Sequence, residues 1–434
     1  MEKIFALFKL GIKYLYRSRR RYGFLLAALV FCFAIVTLIS SVKDGMYDNV
    51  YYSAQSHYAG DIVAIGYNPE NSRRHMGGVE VSAILDAVKE TGINPRYTVK
   101  RTFGFTNVVY YNGAAVDLKY LQGCDWDEEA HIFGRMNFTE APAYPFADDG
   151  IILSEPVAKQ LGAKIGDMVI AGVEARGKQK NTGHYIVKGI VRDSSIFGYY
   201  KAYVSRLSLN RLLLYDDTDC SIIGFFLNDP HSAEQKRRDL QNVLEKHIPV
   251  GPLVYDRKEL DKATDRSWNG VKIFLLTLPV YLSEVSDLLD AMDYLAYFLY
   301  GMMLLIILVS AAVTYRLILH ERTKEMGIMR TIGFYGKDLR FVLWTEVITL
   351  GFISLLGGFF LAWLLIKSLS LVSFSWFPSF EIFLKNGRLT ALFLPETMLI
   401  NVLSVFLVLF AVAFFPSLRA SRKNLSGLLS GEPL

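Results

Sequence analysis

One glycine- and lysine-containing stretch comes close to a phosphate-binding loop but lacks one residue that the chemistry needs. Residues 172–179 read GVEARGKQ, so Gly172, Gly177 and Lys178 fit the pattern GxxxxGK[ST]. Gln179 stands where a serine or threonine hydroxyl would hold Mg²⁺. The sequence therefore predicts that this chain does not bind nucleotide itself.

Motifs for covalent or metal-assisted catalysis do not occur in the sequence. No HExxH, GxSxG or CxxC pattern is present, and the 7 histidines are scattered along the chain. An acidic run, Asp125, Asp127, Glu128 and Glu129 beside His131, has the oxygen ligands that a hard cation prefers, but a solvated loop gives the same pattern. We favour the loop and predict no enzyme active site.

A single carboxylate, Glu346, lies in the otherwise apolar segment 341–366. A charge inside a membrane span is costly unless it finds a partner, reaches the interface or is protonated. Pairing with a nearby cation such as Arg340 or Lys337 would lock the preceding loop to the span. The alternatives are an active role in transmitting motion and, less favoured, proton transport.

Four apolar segments are each long enough to cross a hydrocarbon core of about 30 Å. They are residues 22–42, 294–315, 341–366 and 397–415, and Pro416 is expected to end the fourth. In the third segment, Gly351, Gly357 and Gly358 would permit close helix packing within the chain or across a dimer.

Basic residues next to the spans predict the orientation, because lysine and arginine near membrane segments are retained in the cytoplasm. They cluster in residues 1–21, in the loop 316–340 and in the tail 416–434. Both termini are therefore expected in the cytoplasm. Residues 43–293 and the short loop 367–396 are expected outside it.

The N-terminal segment 1–21 has the pattern of an amphipathic helix that lies in the membrane interface. At 100° per residue its apolar and basic side chains separate onto opposite faces. The apolar face holds Ile4, Phe5, Phe8, Ile12, Leu15 and Tyr16, and the basic face holds Lys9, Lys13, Arg17 and Arg20. This helix either anchors the first span or acts as a strut for a cytoplasmic partner.

Residues 43–293 predict a large α+β domain inserted between the first two spans. A composition of 52% hydrophobic and 21% charged residues suits a membrane unit combined with one folded domain. The strand-like segments are 61–67, 105–111, 168–170, 185–191 and 222–227. Short helices are expected from Ser154 to near Gly162 and from Ser232 to before Pro249. The net charge of +5 is explained by the membrane flanks and does not indicate nucleic-acid binding.

An apolar run just before the second span, residues 271–282, is too short to cross a bilayer. It is a possible lipid or substrate contact. The alternative, which we favour, is packing against the extension of the first span or the base of the domain. The side chains concerned are Phe274, Leu275, Leu276, Leu278, Tyr281 and Leu282. In the same domain, Cys124 and Cys220 are expected to be free thiols, although an oxidising compartment would permit a disulfide.

The loop between the second and third spans resembles a family motif. The resemblance is to the RxxEIGILRAIG…E pattern of ABC permeases of the MacB, LolC/LolE and FtsX superfamily. The matching residues are Arg322, Glu325, Gly327, Ile328, Met329, Arg330, Ile332 and Gly333, followed by Asp338 and Glu346. The layout of one span, a large domain and three further spans is also similar. Residues 152–193 resemble the MacB-like periplasmic core domain.

The resemblance implies that the loop 316–340 contains a coupling helix seated in a groove of a separate ABC ATPase dimer. ATP and Mg²⁺ would then be bound by that partner, and this chain would need no cofactor. Arg322, Lys324 and Arg330 could contact carboxylates of the ATPase, and the apolar residues Met326, Ile328, Met329 and Ile332 could enter its groove.

The resemblance also implies a bacterial inner-membrane protein that pairs with a second permease chain, as a homodimer or a heterodimer. The expected function is conversion of ATP hydrolysis into movement of the extracytoplasmic domains, with release of lipoproteins from the membrane as the first choice. The alternatives are export of a peptide or drug, and regulation of an envelope enzyme without transport.

Overall fold

The computed structural model describes residues 2–17, 19–68, 73–140, 142, 146–192, 200–265, 268–283, 286–374, 383–385 and 387–422. The chain divides into two compact units. The first, here called the helical unit, comprises residues 1–47, 288–373 and 388–434. The second, here called the sheet unit, comprises residues 48–287 and 374–387.

The helices, in chain order, are α1 (Glu2–Arg17), α2 (Arg19–Tyr58), α3 (Gly78–Glu90), α4 (Ala130–Phe133), α5 (Glu155–Leu161), α6 (Arg206–Leu213), α7 (Ala233–Leu244), α8 (Arg257–Thr264), α9 (Leu278–Leu282), α10 (Ser286–Glu321), α11 (Thr323–Thr331), α12 (Gly336–Leu369) and α13 (Pro395–Arg422). The strands are β1 (Ile62–Asn68), β2 (Arg73–Arg74), β3 (Tyr97–Phe103), β4 (Val108–Tyr111), β5 (Ala114–Asp117), β6 (Tyr120–Cys124), β7 (Gly150–Ser154), β8 (Met168–Glu174), β9 (Lys180–Val191), β10 (Lys201–Ser205), β11 (Ile222–Phe226) and β12 (Lys272–Thr277).

Within the described part of the chain, four helices are long and apolar enough to cross a membrane: α2, α10, α12 and α13. Each contains one of the predicted spans and extends beyond it. The prediction that Pro416 ends the last span is wrong, because α13 continues through that proline to Arg422. Apolar membrane helices tolerate proline where neighbouring polar groups take up freed backbone groups.

Glycines in α12 permit close packing of helices within the chain. A Cβ added to Gly358 would lie 2.7 Å from Phe33 Cδ1, on α2. A Cβ on Gly351 would lie 2.9 Å from Phe406 Cε1, on α13. Both distances are too short for a real side chain, so these glycines let α2 and α13 approach α12 directly.

The N-terminal helix α1 packs along α12 and leaves a second apolar stripe uncovered. Leu7 is buried, and a Cβ on Gly11 would lie 3.0 Å from Thr345 Cγ2. Phe5, Phe8 and Ile12 are exposed beside that buried stripe. A helix with one face on a membrane helix and the next face apolar and open fits the interfacial position that the sequence predicts.

The sheet unit is built on one mixed sheet with the strand order β12-β1-β11-β3-β6-β10-β7-β9-β8-β4-β5, and β2 pairs with β1. The pairs β6–β10 and β7–β9 are parallel. Each predicted strand segment overlaps an observed strand, although β4 begins only at Val108. The two predicted helices correspond to α5 and α7.

The strands β1, β11 and β12 are buried on both faces. Ile273 and Leu275 pack in a core that includes residues of α3 and α7, whereas Phe274 and Leu276 pack with Leu260 of α8 on the other face. Strands covered on both faces are continuously apolar rather than alternating. That burial explains the uninterrupted run in residues 272–277.

The prediction of a lipid or substrate contact in this segment is therefore wrong for most of its residues. Phe274, Leu275, Leu276, Leu278 and Tyr281 are all buried, and Leu282 is half-buried. Tyr281 stacks on Tyr58 with ring centroids 4.1 Å apart. Packing in the domain, the alternative interpretation, accounts for these side chains.

Cys124 and Cys220 are free and buried, as expected. They lie in two different apolar clusters of the sheet unit. Burial raises the pKa of the Cys220 thiol to about 12 and also raises that of Cys124. Both thiols are therefore protonated and poorly reactive in the folded chain.

Candidate coupling site

The loop between α10 and α12 folds into the short helix α11, which begins directly where α10 ends. Arg322 occupies the junction, and its backbone N–H donates to the Ile318 carbonyl at 3.2 Å. The Thr323 hydroxyl donates to the carbonyls of Leu319 and His320 at 3.1 and 2.8 Å. These bonds satisfy carbonyls that the end of α10 leaves without helical partners.

Gly333 ends α11 in a Schellman motif. Its φ of 104° is in the region that side chains rarely adopt. The Gly333 N–H donates to the Arg330 carbonyl at 3.2 Å, and the Phe334 N–H donates to the Met329 carbonyl at 3.1 Å. Phe334 also packs on the cluster that contains Met329. The turn thus fixes the direction in which the chain leaves α11 for α12.

A buried network of three side chains joins α11 to two membrane helices. Arg322 Nη1 donates to Glu346 Oε1 and Oε2 at 2.9 and 2.7 Å. The Tyr22 hydroxyl donates to Glu346 Oε2 at 2.7 Å and accepts from Arg322 Nη1 at 3.2 Å. We call Tyr22, Arg322 and Glu346 the ionic lock; it connects α2, the α10–α11 junction and α12.

The ionic lock lies inside the main apolar core of the helical unit. The exposed fraction of the side chain is 2% for Arg322 and 0% for Glu346. Tyr22 packs in the same core as Tyr315 of α10 and Leu343 of α12. Removing either charged partner would leave the other uncompensated in this low-dielectric surrounding, so the two charges depend on one another.

The ionic lock corrects two predictions. Glu346 pairs with Arg322 rather than with Arg340 or Lys337. Arg322, expected to meet carboxylates of an ATPase, points into the protein instead, and its Nε donates to Glu325 Oε2 at 3.3 Å. Arg322 follows α10 directly, so its long side chain reaches the core beneath the loop. The loop is therefore tied to the third span, as expected, but through Arg322.

Only part of the predicted coupling surface is exposed. Met326 and Met329 are buried with Gly327, because positions 322, 326 and 329 recur on the inward face of a helix. The expectation that both methionines enter a partner groove is therefore wrong. Lys324, Glu325, Ile328, Ile332 and Gly333 are exposed, and Arg330 is half-buried. The exposed fractions of Ile328 and Ile332 are 54% and 73%.

A second buried charge cluster, in the sheet unit, holds the end of α2. Arg101 Nη1 donates to the His57 carbonyl at 2.8 Å, in the last turn of that helix. Arg101 also makes a bidentate pair with Glu129, at 2.9 Å from Nε and 2.6 Å from Nη2. Lys201 Nζ lies 3.2 Å from His57 Nδ1. We call His57, Arg101, Glu129 and Lys201 the helix anchor.

The charge of Arg101 depends on its carboxylate partner. Burial acts to lower the pKa of Arg101, and Glu129 more than offsets that effect, so the pKa is raised. This cluster was not predicted from the sequence. Lys100 and Arg101 lie outside the strand-like segments predicted there, and nothing local to them identifies a partner in a distant loop.

The acidic run 125–129 is only partly the solvated loop that the sequence predicts, because Asp127 and Glu128 are exposed whereas Glu129 is buried. Arg206 Nε donates to Asp125 Oδ2 at 2.8 Å, and Glu129 is buried against Arg101. Lys100 Nζ lies 3.5 Å from Glu128 Oε1. Arginine and lysine from neighbouring strands and helices thus pair with three of the four acids: Asp125, Glu128 and Glu129. Among the residues that the structure describes, no group of three or more His, Cys, Asp or Glu side chains could hold a metal.

Two family models match the chain. Residues 297–425 match the FtsX-like permease C-terminal model, and residues 23–243 match the MacB-like periplasmic core domain model. The second match alone covers just over half of the 434 residues. The chain belongs to the MacB/FtsX-type ABC transporter permease superfamily. The resemblance and the fold class predicted from the sequence are confirmed.

Two solved structures are similar over the inserted domain. The periplasmic region of MacB from Actinobacillus actinomycetemcomitans is 13% identical, with a TM-score of 0.32, over 54% of this chain and 95% of that one. A domain of a protein described as a permease, from Porphyromonas gingivalis, is 14% identical, with a TM-score of 0.28, over 50% and 89%. No curated protein matches this chain.

Membership of this superfamily fixes the general role. Its members are permease subunits of ABC transporters, which are typically non-catalytic and associate with an ABC ATPase subunit. Four apolar helices and this family together indicate an inner-membrane protein. The α+β domain lies between the first and the second of those helices.

Proposed function

We propose that this permease transmits ATP-driven motion from a separate ABC ATPase to the sheet unit. The observation that carries the proposal is the ionic lock, in which Arg322, at the start of α11, is bound to Glu346 and Tyr22. Any displacement of α11 must either move α2 and α12 with it or separate two buried charges, which is costly.

The exposed face of α11 supplies the docking surface for the ATPase. Ile328 and Ile332 are one turn apart, and Lys324 is one turn before Ile328, so the three side chains share one face. A short helix with apolar anchors and a flanking cation is suited to a groove with an acidic edge. In this proposal ATP and Mg²⁺ are bound by the ATPase, and the permease needs no cofactor.

Helix α2 carries the motion onward. The boundary between the two units falls inside this helix, between Tyr47 and Asp48, and its backbone hydrogen bonds continue to Tyr58. A sharp kink in a continuous helix would interrupt these bonds, so a tilt is passed along it. The helix anchor holds the last turn in the sheet unit through Arg101 and His57.

In this proposal α11 and both termini lie in the cytoplasm and the sheet unit lies in the periplasm, and the basic flanks of the spans support that orientation. A second permease chain, of the same or a different sequence, would complete a symmetric complex with two ATPase subunits. The cargo would then be moved by the sheet units, without nucleic acid and without catalysis by this chain.

Three cargo classes fit this motion: a lipoprotein released from the membrane, an exported peptide or drug, and an envelope enzyme that is regulated without transport. The sequence favours the first because of the apolar residues 271–282. Most of those side chains lie in the domain core, so they do not form a lipid-binding surface in this structure. The cargo is therefore to be identified by mass spectrometry of the purified complex.

The test is purification of the complex from native membranes, with copurifying proteins and lipids identified by mass spectrometry. We expect an ABC ATPase with the wild type and its loss from the Ile328→Glu/Ile332→Glu variant. Val79→Glu is the matched control, because Val79 is an exposed apolar residue on α3. Retention of the ATPase by the α11 variant would refute the docking assignment. Lipoproteins, soluble peptides or a hydrolase in the complex would distinguish the cargo classes.

A further inference from the structure

The sheet unit contains an open cleft of about 440 Å³ that the coupling role does not use. Its walls come from the β3–β4 turn, the β5–β6 junction, the end of β1 and helix α8. The floor is formed by the buried apolar side chains of Ile65, Leu260 and Phe274. Small-molecule sites commonly have volumes of about 300 to 1,000 Å³ and largely apolar linings.

Aromatic rings stand around this floor. Tyr67, Phe103, Phe105 and Tyr120 all line the cleft and are half-buried. The rings of Phe103 and Tyr120 are 6.3 Å apart in a tilted arrangement. Half-buried rings around an apolar floor offer faces and edges on which a flat ligand can pack.

The rim of the cleft is basic. Arg74, Lys119 and Arg257 line it, and Asp261 is the acidic residue among the lining side chains. Arg257 Nε donates to Asp261 Oδ1 at 3.2 Å. Neither Arg74 nor Lys119 forms an ion pair with any residue in the described ranges. Two cations therefore remain to attract a ligand of negative charge.

The β3–β4 turn that forms one wall holds a strained residue. Thr106 has a φ of 49°, which is unusual for a β-branched side chain. Its hydroxyl donates to Glu174 Oε2 at 3.2 Å, and the neighbouring Asn107 amide donates to the Gly104 carbonyl at 3.0 Å. Such conformations persist where the surroundings enforce them, often at binding sites.

We propose that this cleft binds a small anionic ligand with an aromatic body, such as an aryl carboxylate or aryl phosphate. The aromatic part packs over Ile65 and Phe274 and against the surrounding rings. The anionic group lies at the rim and accepts charge-assisted hydrogen bonds from Arg74 and Lys119. An inorganic anion would leave the apolar floor uncovered, and a neutral aromatic compound would supply no counter-charge to Arg74 and Lys119.

The cleft has a built-in reporter of occupancy. The ring of Trp268 is 5.9 Å from that of Tyr67 and 6.1 Å from that of Phe274, and both of these residues line the cleft. A ligand among these rings changes the surroundings of the indole. Trp268→Phe should remove a ligand-dependent change in fluorescence without preventing binding measured by calorimetry.

The test uses the full chain in a neutral detergent and titrates it with 4-phenylbutyrate, phenyl phosphate, 4-phenyl-1-butanol and inorganic phosphate. We expect saturable binding of the two aromatic anions, and affinity at least about tenfold lower for the neutral alcohol and for phosphate alone, the usual effect of losing a charge-assisted hydrogen bond. A preference for the carboxylate or the phosphate would identify the headgroup.

The variants Arg74→Gln and Lys119→Gln should each weaken binding of 4-phenylbutyrate about tenfold, since each removes one charged donor. Arg211→Gln is the control, because Arg211 is an exposed arginine outside the cleft, and it should leave the affinity unchanged. Equal binding of the alcohol, equal binding of phosphate alone, no binding of either aromatic anion, or equal affinity of all variants would overturn the proposal. None of these outcomes bears on the coupling role, which does not involve the cleft.

Discussion

Arg322 and Glu346 are 24 residues apart in the chain and form a buried ion pair, with Nη1 2.7 Å from Oε2. The Tyr22 hydroxyl completes the pair from a helix that lies 300 residues earlier than Arg322. The permease motif of the α10–α12 loop therefore contributes to the internal packing of the protein as well as to the proposed ATPase-docking surface. One of its residues, Arg322, connects α11 to the membrane helices behind it.

The single variant Glu346→Leu should be strongly destabilised, because it leaves Arg322 buried without a counter-charge. Breaking a buried pair in this way typically costs about 3–5 kcal/mol. The double variant Arg322→Met/Glu346→Leu removes both charges and should recover most of the loss. Thermal unfolding of both variants in detergent provides the measurement. Equal destabilisation of the two would show that the charges do not depend on one another.

Gly333→Ala should weaken the turn that ends α11. A side chain at a φ of 104° is strained, and such substitutions destabilise by more than about 1 kcal/mol. We expect reduced ATPase stimulation as the direction of α11 changes. Gly301→Ala is the control, since Gly301 lies in α10 with no atom within 4 Å of an added Cβ. Normal stimulation in the Gly333 variant would show that the turn does not set the coupling geometry.

Arg101→Met should release the last turn of α2 from the sheet unit. The variant loses the donor to the His57 carbonyl and leaves Glu129 buried without its partner. Hydrogen exchange of the amides in residues 51–58 should become faster, whereas exchange in α12 should not change. Arg238→Met, which alters an exposed arginine of α7, provides the control. Unchanged protection of residues 51–58 would refute the anchor.

The buried Cys220 thiol should make the chain less stable at high pH. Its pKa is raised to about 12 by burial, so the folded chain keeps a proton that the unfolded chain releases above about pH 8.5. The stabilisation is fully present below about pH 8.5 and decreases by up to about 1.4 kcal/mol per pH unit as the pH rises towards 12.

The free energy of unfolding of Cys220→Ala, measured between pH 8 and 10.5, should therefore fall less steeply than that of the wild type. The slope is the diagnostic quantity, because loss of the sulfur also leaves a small cavity that shifts all values alike. Identical slopes would contradict burial of a protonated thiol.

Much of the architecture could be predicted from the sequence because its signals are local. Long apolar runs identify α2, α10, α12 and α13, and the motif around Arg322 identifies the family. Residues 272–277 were open to two interpretations for a physical reason: a strand buried on both faces and a short lipid-facing segment are equally apolar. Only the tertiary structure, in which α7 packs on one face of β12 and α8 on the other, distinguishes the two interpretations.

The partners of buried charges could not be predicted, because they are set by tertiary contacts. Helical spacing suggests that Glu346 pairs with a cation close in sequence, yet Arg322 reaches it from the start of the loop. Likewise, Arg101 and Glu129 are 28 residues apart, and the three strands β4, β5 and β6 lie between them in the chain. Sequence shows that such charges need partners, and the fold decides which partners they find.

The most direct test of the transmission role measures motion and hydrolysis in one sample. Spin labels are attached at Val79→Cys, in the sheet unit, and at Ser368→Cys, in the helical unit. Pulsed electron paramagnetic resonance then measures the distance between the two labels in nanodiscs with the ATPase bound. We predict that ATP changes this distance in the labelled wild type. In the Arg322→Met/Glu346→Leu background the change should be lost while the ATPase stays bound and hydrolyses ATP. The same ATP-dependent change in both backgrounds would contradict the account.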